Sequence, residues 1–150
     1  MINTQCESLL FDIDERIQST GFFLGDWPLS RVFLKNEAQF PWFILVPRVE
    51  NVQEIYQLNK QDRQILMEEM NQLSLLVATY FKPDKLNIGA LGNVVSQLHV
   101  HVIARNVSDS LWPQGIWQTS NNSVPYDNET ADSMVLVLKD LIDEAGRKVA

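Results

Sequence analysis

The sequence predicts an α+β domain built on an antiparallel sheet. Three observations carry this. Strand-sized apolar runs bunch between residues 22 and 46 and again between 86 and 104. Segments of helical period flank and separate them. No regular strand–helix–strand series, the mark of a parallel sheet, runs through the chain. A length of 150 residues suits one compact domain over 1–150 and is enough to bury a core without disulfides.

Each element has its own signal. In Ser8–Thr20, Leu10, Ile13 and Ile17 recur at helical spacing among Asp12, Asp14, Glu15 and Arg16, and Gly21 is a natural stop. Phe22–Leu24 reads as a short strand closed by Gly25-Asp26 and Pro28. Ser30–Lys35 and Trp42–Val46 are rich in aliphatic and aromatic residues and read as a hairpin joined by Asn36–Gln39. Pro47 ends the second run because it has no N–H for a ladder. Lys60–Phe81 is the clearest helix: Leu66, Met70, Leu73, Val77 and Tyr80 form one apolar stripe. Asn59 is its N-cap and Pro83 stops it. Leu86–Leu91 and Val94–Ala104 read as two strands around a Gly92-Asn93 turn. Arg105–Asp127 lacks a period and reads as a long loop. Glu129–Ala145 reads as a C-terminal helix with Met134, Val135, Leu138, Leu141 and Ile142 on one face.

Charge and cysteine usage narrow the function classes. Twelve basic against nineteen acidic residues give −7, which argues against a nucleic-acid binder tracking phosphates with a basic stripe. The single cysteine, Cys6, excludes an internal disulfide. Met1–Gln5 has neither a basic n-region nor an apolar h-region, and no apolar run reaches membrane-span length, so the expectation is a cytoplasmic protein without membrane association. Neither a GxGxxG nor a Walker A pattern occurs, which excludes those routes to phosphate chemistry.

Chemistry concentrates in Gln97-Leu98-His99-Val100-His101-Val102-Ile103. Both histidines of the chain lie here, two residues apart. In a strand they share a face with Gln97, while Leu98, Val100, Val102 and Ala104 turn to the core. Three readings follow: two structural histidines, a metal site, or nucleophilic catalysis on phosphorus. A catalytic zinc takes about three protein ligands, and no carboxylate follows closely before Asp109. A neutral imidazole is a competent nucleophile near neutral pH. Arg105 continues the same face, either toward a polyphosphate or as a strand-end charge. Trp112 and Trp117 either close over a ligand or pack under the loop.

These residues resemble the histidine triad (HIT) family, whose motif is His-φ-His-φ-His-φ-φ with φ apolar. Leu86-Asn87-Ile88-Gly89 leading through Gly92 is similar to the asparagine strand and glycine turn of HIT hydrolases. Phe33-Leu34-Lys35-Asn36 and Phe43–Arg48 resemble the hairpin that lines the nucleoside pocket. Trp112-Pro113 and Trp117 are similar to the tail of a bacterial diadenosine tetraphosphate hydrolase-like branch. The resemblance covers roughly 29–117, with the helix at about 129–145 outside it. It implies a sheet of about five antiparallel strands with flanking helices. It also implies a homodimer, with Lys60–Phe81 a natural contact.

The implied activity is hydrolysis or transfer at the α-phosphate of a nucleoside phosphate or dinucleoside polyphosphate. His99, at the middle position, becomes nucleotidylated and is then released by water. A backbone carbonyl would hold its other nitrogen. His101 would contact phosphate oxygen and handle protons, and Asn87 would orient the phosphate or the His99 neighbourhood. Asn36 would contact the ribose, with Phe33 and Leu34 near the base. No cofactor is needed, because His99 is itself the nucleophile.

The chain departs from the pattern at three places. Gln97 replaces the first histidine, and an amide donates to phosphate but supplies no proton. Val94 stands where many members carry a serine, and Trp42 where many carry a further histidine. An alternative from a different class follows from the first two: a nucleotide-binding module with weak or no turnover.

Overall fold

The computed structural model describes residues 11–118 and 122–149. It contains a short helix α1 (Glu15–Gln18) and strands β1 (Gly21–Asp26), β2 (Ser30–Lys35) and β3 (Trp42–Pro47). Helix α2 (Lys60–Phe81), strands β4 (Lys85–Gly89) and β5 (Val100–Arg105) and helix α3 (Asn128–Gly146) follow. Single 3-10 turns lie at Ile55–Gln57 and Ile116–Gln118. The strands form one sheet in the order β1-β2-β3-β5-β4, and every neighbouring pair is antiparallel. The predicted fold class and strand number are those observed.

Period two assigns the two faces. Val32, Leu34, Phe43, Leu45, Val100, Val102 and Ala104 join Leu66, Leu73 and Val77 of α2 and Leu138 and Ile142 of α3 in the main core. The opposite face carries Phe33, Ile44 and Val46, which pack with Ile13 and Ile17 of the N-terminal segment. Beside them Ile103 packs with Phe40 and Ile116. The central strands are therefore covered on both sides, unlike a sheet with one wet face.

Several predicted boundaries shift, two of them through contacts between segments far apart in the chain. The helix predicted at 8–20 is reduced to Glu15–Gln18 within the described residues. Asp14 is its N-cap, with its carboxylate accepting from the Arg16 N–H, and the Asp14 N–H itself is held by the Gln97 side chain. A residue so held cannot continue a helix toward its N-terminus. The strand predicted at 94–104 begins only at Val100, because Leu98 donates its N–H to the Val52 carbonyl rather than to a neighbouring strand. The strand predicted at 86–91 runs instead over Lys85–Gly89. Helix α2 has the predicted bounds, and the Asn59 side chain accepts from the Asp62 N–H. Tyr80, however, is exposed rather than part of the buried stripe.

Glu69 of α2 is fully buried beneath the start of β2. Its Oε1 accepts from the Leu29 and Ser30 N–H groups at 2.7 and 3.1 Å. Its Oε2 is buried without a hydrogen-bond partner. Loss of water disfavours the charged form and raises its pKa, against smaller opposing effects of the hydrogen bonds and Arg48. A raised folded-state pKa means that the folded chain holds its proton longer than the unfolded chain. Stability from this group is then full below the ordinary value of 4.5 and declines as pH rises toward the raised one. Glu69→Gln keeps the Oε1 acceptor and cannot ionise. Urea unfolding should therefore show the variant gaining on the parent as pH rises from 4.5 to neutrality. A pH-independent difference would contradict this account.

Candidate active site

The register of β3 against β5 builds the site. Ile44 lies opposite His101, and Trp42 lies opposite Ile103. Cross-strand partners point the same way, so Trp42, Ile44 and His101 share the face away from the main core. On the other flank Gly89 of β4 lies opposite His101. A Cβ at Gly89 would stand 3.4 Å from the Trp117 ring, in ordinary van der Waals contact, so Trp117 packs directly over this position. The Trp117 and His101 rings meet edge to face, 5.8 Å between centroids. Above this face lies a cavity of about 370 Å³. His99, His101, Trp42, Ile44 and Trp117 form its floor and wall, and the Leu91–Val95 turn, α1 and Lys35 form its rim.

His99 lies just before β5 and is 7% exposed. Its Nδ1 is 2.6 Å from the Gln97 carbonyl oxygen. A carbonyl only accepts, so Nδ1 carries a proton, and the neutral ring keeps its lone pair on Nε2. The sequence-level expectation of a backbone carbonyl partner is matched in position by Gln97. His101, 6% exposed, stands 4.8 Å away, centroid to centroid. Its Nδ1 accepts from the Trp42 indole N–H at 2.8 Å. Burial, then the nearby charges of His99 and Lys35, lower its pKa to about 3. His101 is therefore neutral at pH 7, with its proton on Nε2.

Gln97 is engaged away from the cavity. Its Oε1 accepts from the Asp14 N–H at 2.9 Å and its Nε2 donates to the Asp12 carbonyl at 2.8 Å. The amide clamps the N-terminal segment instead of pointing to a ligand. Arg105 is also placed differently from either expectation. It is 1% exposed and donates in a fork to Asp109 at 2.7 and 3.0 Å, and to Asn87 Oδ1 at 2.9 Å. Its guanidinium lies 5.5 Å from the Phe40 ring centroid and 5.8 Å from that of Trp112. It is a buried anchor for the loop after β5, and it holds Asn87 there too. Neither residue lines the cavity with the histidines.

Asn36 donates its backbone N–H to the Thr20 carbonyl, and its side-chain oxygen accepts from the Tyr126 N–H. It ties the hairpin to the segment before α3. Phe33 lies on the cavity side of β2, in the cluster with Ile44, whereas Leu34 lies in the main core. Adjacent strand residues face opposite ways, so the two cannot both approach one base. Trp112 stacks on Arg105 and Trp117 borders the cavity, so the two indoles divide the roles weighed for them.

Two cations at the rim escaped the sequence reading. Lys35 follows Phe33 by two in β2 and so shares its face, a signal that period two offered. Its Nζ lies 4.2 Å from the Trp42 ring centroid. Burial lowers its pKa from the ordinary lysine value, and Glu37 works in the other direction. Arg16 reaches the rim from α1, donating to Asp14 and to the Val94 carbonyl. No local pattern places Arg16 beside residue 94. The lining holds no carboxylate. Among the described residues no group of three His, Cys, Asp or Glu side chains could hold a metal ion, and no helix is long and apolar enough to cross a membrane.

A sheet face that offers two imidazoles to a cavity with cations at its rim is a histidine site suited to a small anionic ligand. The chain belongs to the HIT domain family, whose model matches residues 16–107. It is similar to a histidine triad protein from Marinobacter aquaeolei, with 37% identity over 93% of this chain and 98% of that one, at a TM-score of 0.83. A histidine triad protein from Bradyrhizobium japonicum is 36% identical over 88% of this chain and 98% of that one, also at 0.83. A Plasmodium falciparum diadenosine triphosphate hydrolase shares the fold, with 17% identity over 90% of this chain and 82% of that one, at 0.60. No curated protein sequence matches the chain.

Two substitutions check these placements. Gln97→Leu removes both bonds to the N-terminal segment, at a cost of about 1–3 kcal/mol for two net hydrogen bonds. Amide exchange at Asp14 should accelerate with it; unchanged protection would show that the clamp carries nothing. Arg105→Leu leaves the buried Asp109 carboxylate without its partner, which costs about 3–5 kcal/mol. Adding Asp109→Leu should return much of that loss in a denaturation cycle. Simple additivity of the two would contradict a coupled pair.

Proposed function

We propose that this chain is a nucleotide hydrolase or transferase that cleaves at an α-phosphate through a covalent nucleotidyl-His99. One observation carries the reading: His99 donates from Nδ1 to the Gln97 carbonyl, so its neutral form presents the Nε2 lone pair, in a residue that lines the cavity. Fixing one nitrogen by a backbone acceptor sets the tautomer and aims the other. In this reading His101 donates from Nε2 to a phosphate oxygen. Lys35 and Arg16 supply the positive charge for the phosphate chain. The aromatic edges of Trp42 and Trp117 bound the space left for the rest of the ligand. Family membership supports a nucleotide as that ligand, and a dinucleoside polyphosphate suits a rim with two cations. A homodimer belongs with the same reading, through α2, where Met67, Leu75 and Tyr80 are exposed.

The chemistry balances without a cofactor. The His99 lone pair forms a P–N bond as the bond to the leaving oxygen breaks, and that oxygen takes the electron pair. Water then attacks phosphorus, the P–N bond breaks, and its pair returns to Nε2 while the water proton passes to solvent.

The second reading, a nucleotide-binding module with little turnover, is favoured by Gln97, whose amide is spent on the backbone of Asp12 and Asp14. Incubation with nucleotides radiolabelled at the α-phosphate separates the two. An acid-labile, base-stable adduct should form on the parent chain and be lost in His99→Ala. Tight binding with neither adduct nor product would sink the enzyme and leave the binding module. Turnover abolished by chelator would instead point to metal-assisted hydrolysis.

A further inference from the structure

Trp42 touches the site in a way the proposed roles above do not use. Its indole N–H donates to His101 Nδ1 at 2.8 Å, with the rings 5.5 Å apart and inclined at 62°. An indole N–H only donates. Nδ1 must therefore present its lone pair, since a proton there would set N–H against N–H. The proton of the neutral ring is confined to Nε2, which has no hydrogen-bond partner among the described residues.

The indole is itself held. Lys35 Nζ sits 4.2 Å from its ring centroid, a cation–π contact on a partly desolvated ammonium. Its ring also packs against both clusters on this side of the sheet. The groups around His101 reinforce the same state. His99 adjoins it from the segment leading into β5, Lys35 acts on it from β2, and Arg16 reaches the rim from α1. On β4 the partner is Gly89, with no side chain, and across the cavity it is Trp117. None of these is an anion that would pair with a positive charge on the ring. The lowered pKa already described agrees with the geometry and is not needed for it.

We propose that Trp42 is a positioning residue which locks His101 as a neutral, Nε2-protonated donor. This rests on the nucleotidyl-transfer reading for its purpose, though the lock itself is a property of the free protein. In that reaction His101 grips a non-bridging phosphate oxygen and keeps its proton throughout. It is not a proton source for the leaving group. With Gln97 also unable to give a proton, the leaving oxygen departs with its electron pair and no proton from either triad position. Acid inhibition then does not report the protonation of His101.

The chain has two histidines, so long-range nitrogen–proton NMR of the labelled full-length protein yields two ring patterns. His101→Asn assigns them. Expected is a His101 pattern with protonated Nε2 that does not titrate as pH falls through the ordinary value of 6.5. A through-hydrogen-bond nitrogen–nitrogen coupling should link the Trp42 indole to His101. That measurement needs no variant. In Trp42→Phe, His101 should exchange between tautomers and its midpoint should move up toward 6.5. Its pH–rate profile should gain a second acid-side ionisation. Trp42→His, which can also donate to Nδ1, should restore the tautomer while adding a titrating group.

A parent His101 that titrates near 6.5, or one unchanged by Trp42→Phe, would overturn the lock. A locked His101 in a chain that forms no adduct on His99 would overturn the functional reading and leave the lock standing. An adduct formed beside a titrating His101 would do the reverse.

Discussion

The antiparallel pairing of β3 with β5 is the constraint on which the rest of the molecule depends. With Ile44 opposite His101, Val102 opposite Phe43 enters the main core and Trp42 reaches the imidazole. A slip of one residue would exchange the faces, burying an imidazole among leucines and turning valines to the cavity. An unpaired polar group moved into that core costs several kcal/mol. The packing that stabilises the sheet therefore also sets the face on which His101 stands, while Trp42 and the Gln97 carbonyl hold the two rings.

Around that register, the polar side chains divide into those that face open space and those consumed by structure. Arg105, Asn87 and Asp109 form a closed group under Phe40 and Trp112. Asn36 and Glu69 each satisfy backbone N–H groups that the ladder leaves over. What remains toward the cavity is a small set: the two imidazoles and Lys35, with Arg16 at the rim already paired with Asp14. An acidic chain can hold an anion on such a set because opposite charges act over a few ångströms, and the Debye length is about 8 Å at physiological salt.

The sequence was legible wherever a property was periodic or local. The alternation through residues 98–104 separated core from site face. The Asn59 cap and the Pro83 stop bounded α2, and the spacing of His99 and His101 located the cavity. It was misleading where side chains meet by long-range contact. Arg105 sits on the predicted face, but its partners Asp109 and Asn87 lie on a following loop and a neighbouring strand. Gln97 follows the motif's numbering, yet its amide is claimed by a segment more than eighty positions earlier. Leu34 and Phe33 were assigned together although period two separates them, and the same rule applied to Lys35 would have found a rim cation.

Gln97 serves two neighbours at once. Its backbone oxygen sets the ring nitrogen of His99, and its side chain, one residue's width away, grips the chain entering α1. The seating of the Asp12–Asp14 segment and the orientation of the His99 ring are thereby joined through one residue. Peeling the segment away would tug on the very group that orients His99. The orientation of His99 is thus tied to how the backbone at Asp12 and Asp14 is held.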